Sequence, residues 1–424
     1  MSEDDLAHEV RDWLTDTWSL DLSLREWWRR MFDAGLTAPT HPPGFGGRSS
    51  SGAAARVVAT EFGRAGVIGP PRGPGQSLGA KVLFAHGTTT QQLELLPPLY
   101  RGEDMWVQLF SEPGSGSDLA SLATRAVPDG DEYIVNGQKV WSSGADRANR
   151  GFLLTRTNWD APKHRGISYF IIDLDQPGVD VRPMKCMNGD EHFCEVFFDD
   201  ARVPASRLIG DVDEGWRVAQ ATLAAERGGL GGAAIRGIRN VLPGEKHGLL
   251  DVAVGEILAM PPEPPLVRRF YSEPRELIEI ARRRGLTGDP VIRQQLAAYH
   301  TDVELLRLTV QRMKDNARAG RPPGPEALTT KIALGNNIKR FREIALELLG
   351  PAGQLLDTGD VAGDELIELF LWSFAGNIGG GTDEVQRNIA GENGLGLPRE
   401  PSSDRDVSYR DLLVGTQRRD RRAP

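Results

Sequence analysis

A loop rich in glycine and serine contains the first residues whose types suggest chemistry. It lies in WVQLFSEPGSGSDLASL, residues 106–122, which begins as an apolar, strand-like run. Glycine adopts backbone angles that a Cβ forbids, so such a loop lets the backbone approach a flat or phosphorylated ligand closely. Most Gly/Ser loops are plain turns, and this one indicates a binding site only together with other motifs. Its hydroxyl groups belong to Ser111, Ser115 and Ser117.

A carboxylate, Glu226, is the candidate catalytic base. It lies in LAAERGGLGG, residues 223–232, among small and apolar neighbours at the end of a helical stretch. Desolvation there would raise the pKa of the carboxyl group toward the working range of a general base. The alternative is a surface ion pair with Arg227, the commonest fate of adjacent glutamate and arginine.

A metal site is conceivable in KCMNGDEHFC, residues 185–194, where His192 lies between Cys186 and Cys194. The spacing matches no common zinc pattern and a fourth ligand is missing. Ordinary strand or loop cysteines are therefore the expectation, with no metal.

Length and charge restrict the class of protein. A chain of 424 residues predicts two or three packed units. The net charge of -9 argues against a nucleic-acid partner. The apolar runs are too short to span a membrane, and the acidic start MSEDDLAHEV lacks the pattern of a secretory signal. We therefore expect a cytoplasmic protein.

Segments with different sequence patterns must position these residues. Residues 1–104 are typical of amphipathic helices whose tryptophans pack on a core. Residues 105–212 change to a period of two with β-branched and aromatic side chains, and Asn136-Gly137 predicts a hairpin there. Residues 213–398 return to helix, and residues 399–424 form a polar, basic tail that is expected to be mobile.

The C-terminal helical segment contains an interruption and a regular stripe. A Pro-rich insertion at about 240–276 is expected to be a loop or a partner surface. After it, apolar residues alternate spacings of four and three, a pattern typical of a helix in a bundle. A further helix is predicted over 327–349. The stripe comprises Ile292, Leu296, Tyr299, Val303, Leu306, Val310 and Met313.

Several motifs in this order resemble the acyl-CoA dehydrogenase family, from about residue 5 to about residue 398. The resemblance implies an α+β fold: an N-terminal all-α domain (1–104), a middle antiparallel β-barrel domain (105–212) and a C-terminal four-helix bundle (213–398). The motifs are the Gly/Ser loop, VNGQKVWSSG at 135–144, EVFFDDARVP at 195–204, LAAER at 223–227 and GGGTDEVQ at 379–386.

The resemblance also implies a cofactor, FAD, and a reaction. A family member removes the α-hydrogen of an acyl-CoA thioester as a proton, while the β-hydrogen leaves as hydride to flavin N5. Ser111 stands where members hydrogen-bond the flavin ring, and Trp141 is placed to cover its face. The implied flavin contacts are Gln108, Phe110, Ser111, Gly116, Ser117, Trp141, Ser142, Ser143 and Thr382.

The base departs from the commoner family pattern. Many members carry glutamate in a Tyr-Glu-Gly-Thr motif, but here that motif reads Gly379-Gly380-Gly381-Thr382. A subset, including isovaleryl-type and long-chain-type enzymes, places its glutamate on a helix immediately before an arginine, which corresponds to Glu226. The implied substrate contacts are Ser117, Arg227, Gly380 and Gly381, with the backbone N–H of Gly380 donating to the thioester oxygen.

Two motifs that hold the ADP half of FAD in homomeric members are missing. Residues 281–297 read ARRRGLTGDPVIRQQLA in place of Arg-x-x-Phe-Gly, and Glu347 replaces the glutamine of Gln-x-x-Gly-Gly. A carboxylate there disfavours a pyrophosphate. Either a related chain holds the ADP arm, as in the heterotetrameric enzymes of actinobacterial steroid side-chain breakdown, or a diverged homo-oligomer holds FAD by other contacts or not at all. We favour the first.

The resemblance therefore implies an FAD-dependent acyl-CoA dehydrogenase with an electron-transferring flavoprotein as acceptor. It is expected to be a dimer or tetramer, or a heteromer with a related chain. The position of the base favours a branched or bulky acyl group, such as a steroid side chain. The alternatives are an oxidase that passes electrons to oxygen on the same fold and a non-catalytic partner subunit.

Overall fold

The computed structural model describes residues 2–229, 238–261, 273–321, 324–355, 361–399, 401 and 404–412, without the side chains of 227–229 and 361–362. It divides into two compact units. The first comprises Met1–Met184, Glu191–Pro262 and Ser402–Pro424. The second comprises Lys185–Asp190 and Glu263–Pro401.

The first unit begins with the expected helices, most of which start at a capping side chain. Ser2, Ser23 and Thr88 each accept a hydrogen bond from a backbone N–H of the following turn, as N-cap residues do. The helices are α1 (Glu3–Thr17), α2 (Leu24–Asp33), α3 (Gly52–Ala65), α4 (Ala80–His86) and α5 (Thr89–Tyr100).

Two tryptophans of α2 form the centre of the N-terminal core. Trp27 and Trp28 are fully buried. Their indole N–H groups donate to the backbone carbonyls of Ile68 and Gly69, at 2.7 Å and 2.8 Å. Each large side chain therefore buries its apolar surface without leaving its polar atom unpaired.

The insertion differs from the predicted loop or partner surface over its described part. Residues 241–257 pack on the N-terminal helices, and the N–H of Leu24 donates to the carbonyl of Val252 at 3.0 Å. The chain folds this way because its apolar residues complete the N-terminal core. Residues 262–272 of the insertion lie outside the described part. The buried residues are Val241, Leu250, Val254 and Ile257, the last two on a short helix, Val254–Ala259.

The middle of the chain forms a seven-stranded sheet with the order β1-β4-β2-β3-β7-β6, and β5 pairs with β4. Its pairs are antiparallel except for β1–β4 and the short contact β2–β4, which are parallel. The expected antiparallel β-domain therefore contains two parallel pairs. The strands are β1 (Trp106–Leu109), β2 (Arg125–Asp129), β3 (Glu132–Ser143), β4 (Arg150–Arg156), β5 (Ile167–Asp173), β6 (Val179–Met184) and β7 (Phe193–Pro204).

The predicted hairpin at Asn136-Gly137 is wrong. The turn between β2 and β3 lies at Gly130, where φ is +68°. Asn136 and Gly137 instead form an irregularity within β3, and the Asn136 side chain donates to Asp200 on β7 at 2.9 Å. Gly137 is required there because a Cβ would lie 2.6 Å from the hydroxyl of Thr124.

Helix α6 (Gly215–Gly229) follows the sheet and belongs to the first unit, as do the described residues 404–412. Within this last segment Tyr409 is 1% exposed and hydrogen-bonded to the sheet domain. The expected mobile tail is therefore anchored over 404–412, and residues 413–424 lie outside the described part.

The second unit is helical, as expected. The striped sequence forms one long helix, and its Tyr299 packs edge-on against Phe341 of the next helix at 5.9 Å between ring centroids. The helix predicted over 327–349 begins at Thr330, after a 3₁₀ turn. With α7 as Val254–Ala259, the further helices are α8 (Pro274–Arg283), α9 (Pro290–Arg318), α10 (Thr330–Leu349), α11 (Val361–Ser373) and α12 (Asp383–Ile389).

Candidate active site

The Gly/Ser loop leaves β1 and lies against β3. The carbonyl of Ser111 accepts the N–H of Val140 at 2.9 Å, which fixes the start of the loop. Ser115 is buried and its hydroxyl donates to the carbonyl of Asp118 at 2.8 Å, so it supports the loop from within. Gly116 and Ser117 are exposed, and a Cβ at Gly116 would meet no atom within 4 Å. The loop therefore leaves its tip open to a ligand.

A buried ion pair clamps both ends of this loop. The Lys139 ammonium is fully buried and donates to the carbonyl of Phe110 at 3.0 Å and to the Glu112 carboxylate at 2.8 Å. The same carboxylate accepts the N–H groups of Ala123 at 2.7 Å and Thr124 at 2.9 Å. The ion pair thus joins residues 110–112 to residues 123–124 through β3.

The ionisation of this pair follows from its surroundings. Burial alone would raise the pKa of Glu112, but the charge of Lys139 and the donated hydrogen bonds outweigh it and hold the pKa below its ordinary value. Burial lowers the pKa of Lys139, opposed by the attraction of Glu112. The 2.8 Å contact between the two side chains is therefore an interaction that favours the charged form of both.

Trp141 presents its ring to solvent from a strained backbone. It is 58% exposed, and its φ of +62° is a conformation that bulky residues rarely adopt. The ring of Phe193 supports it edge-on, at 5.4 Å between centroids and an angle of 90°. Strain of this kind persists where the surrounding structure enforces it, and it is concentrated at functional sites. An exposed aromatic face at this position suits a flat ligand.

The neighbouring serines point to opposite sides of the strand. Ser143 is exposed, whereas Ser142 is 1% exposed and its hydroxyl has no hydrogen-bond partner among the described residues. The side chain of Phe110 is likewise in the core, at 2% exposure. Contact of these two buried residues with a ligand would therefore involve their backbone atoms. Gln108 is half-buried on β1.

Helix α6 carries Glu226 and is joined to the loop through one tyrosine. The hydroxyls of Tyr169 on β5 and Thr222 on α6 are hydrogen-bonded at 3.2 Å. The Tyr169 ring packs edge-on against Phe110, at 6.0 Å between centroids. Glu226 is half-buried and lies four residues after Thr222, on the same face of the helix. The candidate base and the Gly/Ser loop thus belong to one packed assembly.

The glycine motif lies in the second unit. Gly380 and Gly381 have φ values of +67° and +94°, and the carbonyl of Gly380 accepts the Gln386 side-chain amide at 2.8 Å. The hydroxyl of Thr382 accepts the N–H of Val385 at 3.3 Å and thereby caps α12. Gly380 has no side chain and cannot supply the carboxylate base, as the sequence indicates. The Arg227 side chain lies outside the described part.

Glu347, which replaces the ADP-binding glutamine, already has a hydrogen-bond partner. The Glu347 carboxylate accepts the Gln295 side-chain amide at 2.8 Å, between α10 and α9. Arg284, from the segment that replaces the other motif, donates to the carbonyl of Leu349 at 2.9 Å. Both departures from the family pattern therefore have structural partners within this unit.

The structure brings together several of the predicted site residues in the first unit and adds supporting residues that the sequence did not suggest. Lys139 links β3, the strand of Trp141, to the loop, and Tyr169 links Phe110 to α6, the helix of Glu226. A lysine two residues before a tryptophan in a strand is ordinarily assigned to a solvent face, and only the tertiary structure shows its burial. Tyr169 lies in an apolar strand where nothing distinguishes it from a core residue.

A metal centre receives no support in the part of the chain that the structure describes, which holds no cluster of three or more histidine, cysteine, aspartate or glutamate side chains suited to an ion. The thiol of Cys194 lies 3.6 Å from the Asp146 carboxylate, and burial raises its pKa to about 11. The described helices include none with the length and apolar character needed to cross a membrane.

Three family models match consecutive parts of the chain. The N-terminal domain of acyl-CoA dehydrogenases matches residues 1–103. The middle domain of the same family matches residues 108–201, and its C-terminal domain matches residues 267–395.

Individual proteins agree with these matches. The acyl-CoA dehydrogenase IpdE1 of Mycobacterium tuberculosis is 36% identical over 376 residues, covering 89% of this chain and 88% of the relative. A Tcur3481-Tcur3483 steroid ACAD has a TM-score of 0.66 and 26% identity, covering 94% of this chain and 98% of that chain. The ChsE4-ChsE5 complex from Mycobacterium tuberculosis has a TM-score of 0.65 and 26% identity with the same coverage.

Proposed function

The chain belongs to the acyl-CoA dehydrogenase family, and from this premise we propose that it oxidises an acyl-CoA thioester to the 2-enoyl-CoA with Glu226 as the base. The observation that carries the proposal is the packed link from Thr222 through Tyr169 to Phe110. It joins the helix of the proposed base to the proposed cofactor loop.

FAD is the proposed cofactor, and the residues of the first unit suit a flat aromatic group. Trp141 offers an exposed ring on a strained, supported backbone, and the tip of the loop at Gly116 is open. Ser111 at the start of the loop and Ser143 on β3 provide hydroxyl groups. When bound, FAD supplies the electron acceptor that a carbon–carbon desaturation requires.

Glu226 is proposed to take the α-proton of the thioester. A carboxylate can serve as this general base, and Glu226 is the carboxylate that follows Ala225 on α6, a helix whose apolar residues pack in the core. The backbone N–H of Gly380 is proposed to polarise the thioester oxygen. Arg227, Gly381 and Ser117 are proposed to hold the substrate.

Thr382 is proposed to contact the flavin, whose ADP arm we assign to a related chain. The Glu347 carboxylate at the position of the missing glutamine would repel a pyrophosphate. Two structural neighbours are, by their names, complexes of two different chains, ChsE4-ChsE5 and Tcur3481-Tcur3483. We therefore propose a heteromeric dimer or tetramer in the cytoplasm, with an electron-transferring flavoprotein as acceptor.

A branched or bulky acyl group is the proposed substrate. The position of the base favours it, and the description of one structural neighbour as a steroid ACAD points the same way.

The proposal is tested by the visible spectrum and turnover of the purified chain, alone and co-expressed with a related acyl-CoA dehydrogenase chain. We expect flavin absorbance near about 450 nm and formation of enoyl-CoA in the co-expressed complex. Flavin absorbance in the lone chain would support a homo-oligomer instead of the heteromer. Absence of flavin and of turnover in both preparations would reject the proposed function.

A further inference from the structure

The C-terminal segment 404–412 packs on the sheet domain, beyond residue 395, where the family match ends. Its anchor is Tyr409, which is 1% exposed. The tyrosine hydroxyl donates to the carbonyl of Ser121 at 2.9 Å. A buried tyrosine requires such a partner, and here the partner lies in the turn that ends the Gly/Ser loop.

Arg156 connects this anchor to the same turn. Its guanidinium lies 3.9 Å from the centroid of the Tyr409 ring, and a desolvated contact of this kind is among the stronger cation–π interactions. The guanidinium also donates to the carbonyl of Ala120 at 2.6 Å. Arg156 is fully buried, so both contacts are shielded from water.

A second tie runs through charged side chains. Asp404 pairs with Lys163 at 2.7 Å, and Lys163 pairs with Asp118 at 3.1 Å. The Asp118 carboxylate also accepts the hydroxyl of Ser121. Asp118 follows Ser117 directly, so this tie ends beside the exposed tip of the loop.

The main chain of the segment is held as well. The N–H of Tyr409 donates to the carbonyl of Ala161, and that of Arg410 donates to the carbonyl of Trp159, both at 2.9 Å. Since these bonds fix the backbone, the Tyr409 side chain enters the domain in a defined direction.

We propose that residues 404–412 form a clasp that holds the loop 111–122 in its ligand-binding conformation, with Tyr409 as a positioning residue. The pair Lys139–Glu112 fixes the two ends of the loop, while the clasp fixes the turn at 118–121 between them. The link to flavin binding rests on the proposed function. The effect on the loop follows from the contacts alone.

The test compares full-length Tyr409→Phe, Tyr409→Ala and the control Arg410→Gln, whose side chain forms an ion pair with Asp160 in which both partners are exposed. Hydrogen exchange is followed in peptides covering 111–122 and 24–33, and the dissociation constant of FAD is measured in the flavin-binding form. Tyr409→Phe removes one buried hydrogen bond and should accelerate exchange of the loop about fivefold and weaken FAD binding by a similar factor. Tyr409→Ala should exceed both effects, and Arg410→Gln should show neither.

If Tyr409→Ala exchanges hydrogen in the loop and binds FAD as the wild type does, the proposed clasp is overturned. Equal acceleration of exchange in 111–122 and in 24–33 would also overturn it, because Tyr409 would then act on overall stability alone. If the wild type binds no flavin, the proposed function fails, and the exchange data still decide the clasp.

Discussion

Replacing Lys139 with methionine should release the Gly/Ser loop. The substitution removes the hydrogen bonds to the Phe110 carbonyl and the Glu112 carboxylate and leaves that carboxylate buried without its counter-charge. Methionine fills a similar volume, so the effect reports the lost charge and hydrogen bonds more than a cavity.

The magnitude follows from the burial of the pair. Removing one partner of a buried ion pair costs about 3–5 kcal/mol. Glu112 retains two backbone donors, Ala123 at 2.7 Å and Thr124 at 2.9 Å, so the lower end of that range applies. About 3 kcal/mol corresponds to roughly 100-fold faster hydrogen exchange at these amides through local opening.

The assay is hydrogen exchange of peptides covering residues 119–126 in a double-mutant cycle of Lys139→Met and Glu112→Gln. The double variant contains no buried charge from this pair, so its effect should be clearly smaller than the sum of the single effects. Arg202→Gln, which removes an exposed pair on β7, is the control and should leave exchange unchanged. Acceleration below about fivefold in Lys139→Met, with additive single effects, would refute the role of the pair.

Three further predictions concern ligand binding, acid sensitivity and thiol reactivity. Trp141→Ala should weaken FAD binding about tenfold while Trp141→Phe retains most of it, as measured by flavin titration; equal affinity in all three proteins would contradict a ring-covering role. Because the folded pKa of Glu112 is lowered, the stability that it contributes is complete above the unfolded value of about 4.5 and is lost as the pH falls through the folded value. The difference in the free energy of unfolding between the wild type and Glu112→Gln should thus be constant from about pH 8 to pH 5 and should decline below pH 5. A decline of this difference already near neutral pH would contradict the prediction. Iodoacetamide at about pH 8 should modify Cys186 well before Cys194, whose pKa is about 11, and mass mapping with Cys194 modified first would contradict its burial.

The order of helical, sheet and helical segments could be predicted because hydrophobic period is a local property. The helices within residues 1–104 and the strands of the middle domain follow from such patterns. The hairpin prediction failed at Asn136-Gly137 because the Asn136 side chain pairs with Asp200, which lies 64 residues away in the chain. Local turn chemistry carries no information about that partner.

From the sequence, residues of the candidate site could be proposed only where they belong to a motif. Alternation along β3 would place Lys139 and Trp141 on one face, yet one is fully buried and the other 58% exposed. The cause is a bulge between Lys139 and Ser142, which a period of two does not reveal. The sequence predicts a mobile tail around Tyr409 because the polar, basic surroundings lack periodicity, whereas the partners Ser121 and Arg156 are distant in sequence.

The central claim is that Glu226 removes the α-proton, and the most direct measurement is anaerobic bleaching of the flavin absorbance in the flavin-containing complex. Branched acyl-CoA thioesters are added to the wild type, to Glu226→Gln and to Glu214→Gln, an exposed glutamate just before the same helix. The account predicts bleaching in the wild type and Glu214→Gln, and a rate lower by about 10²–10⁴ in Glu226→Gln with its flavin retained. Bleaching of Glu226→Gln at the wild-type rate would contradict it.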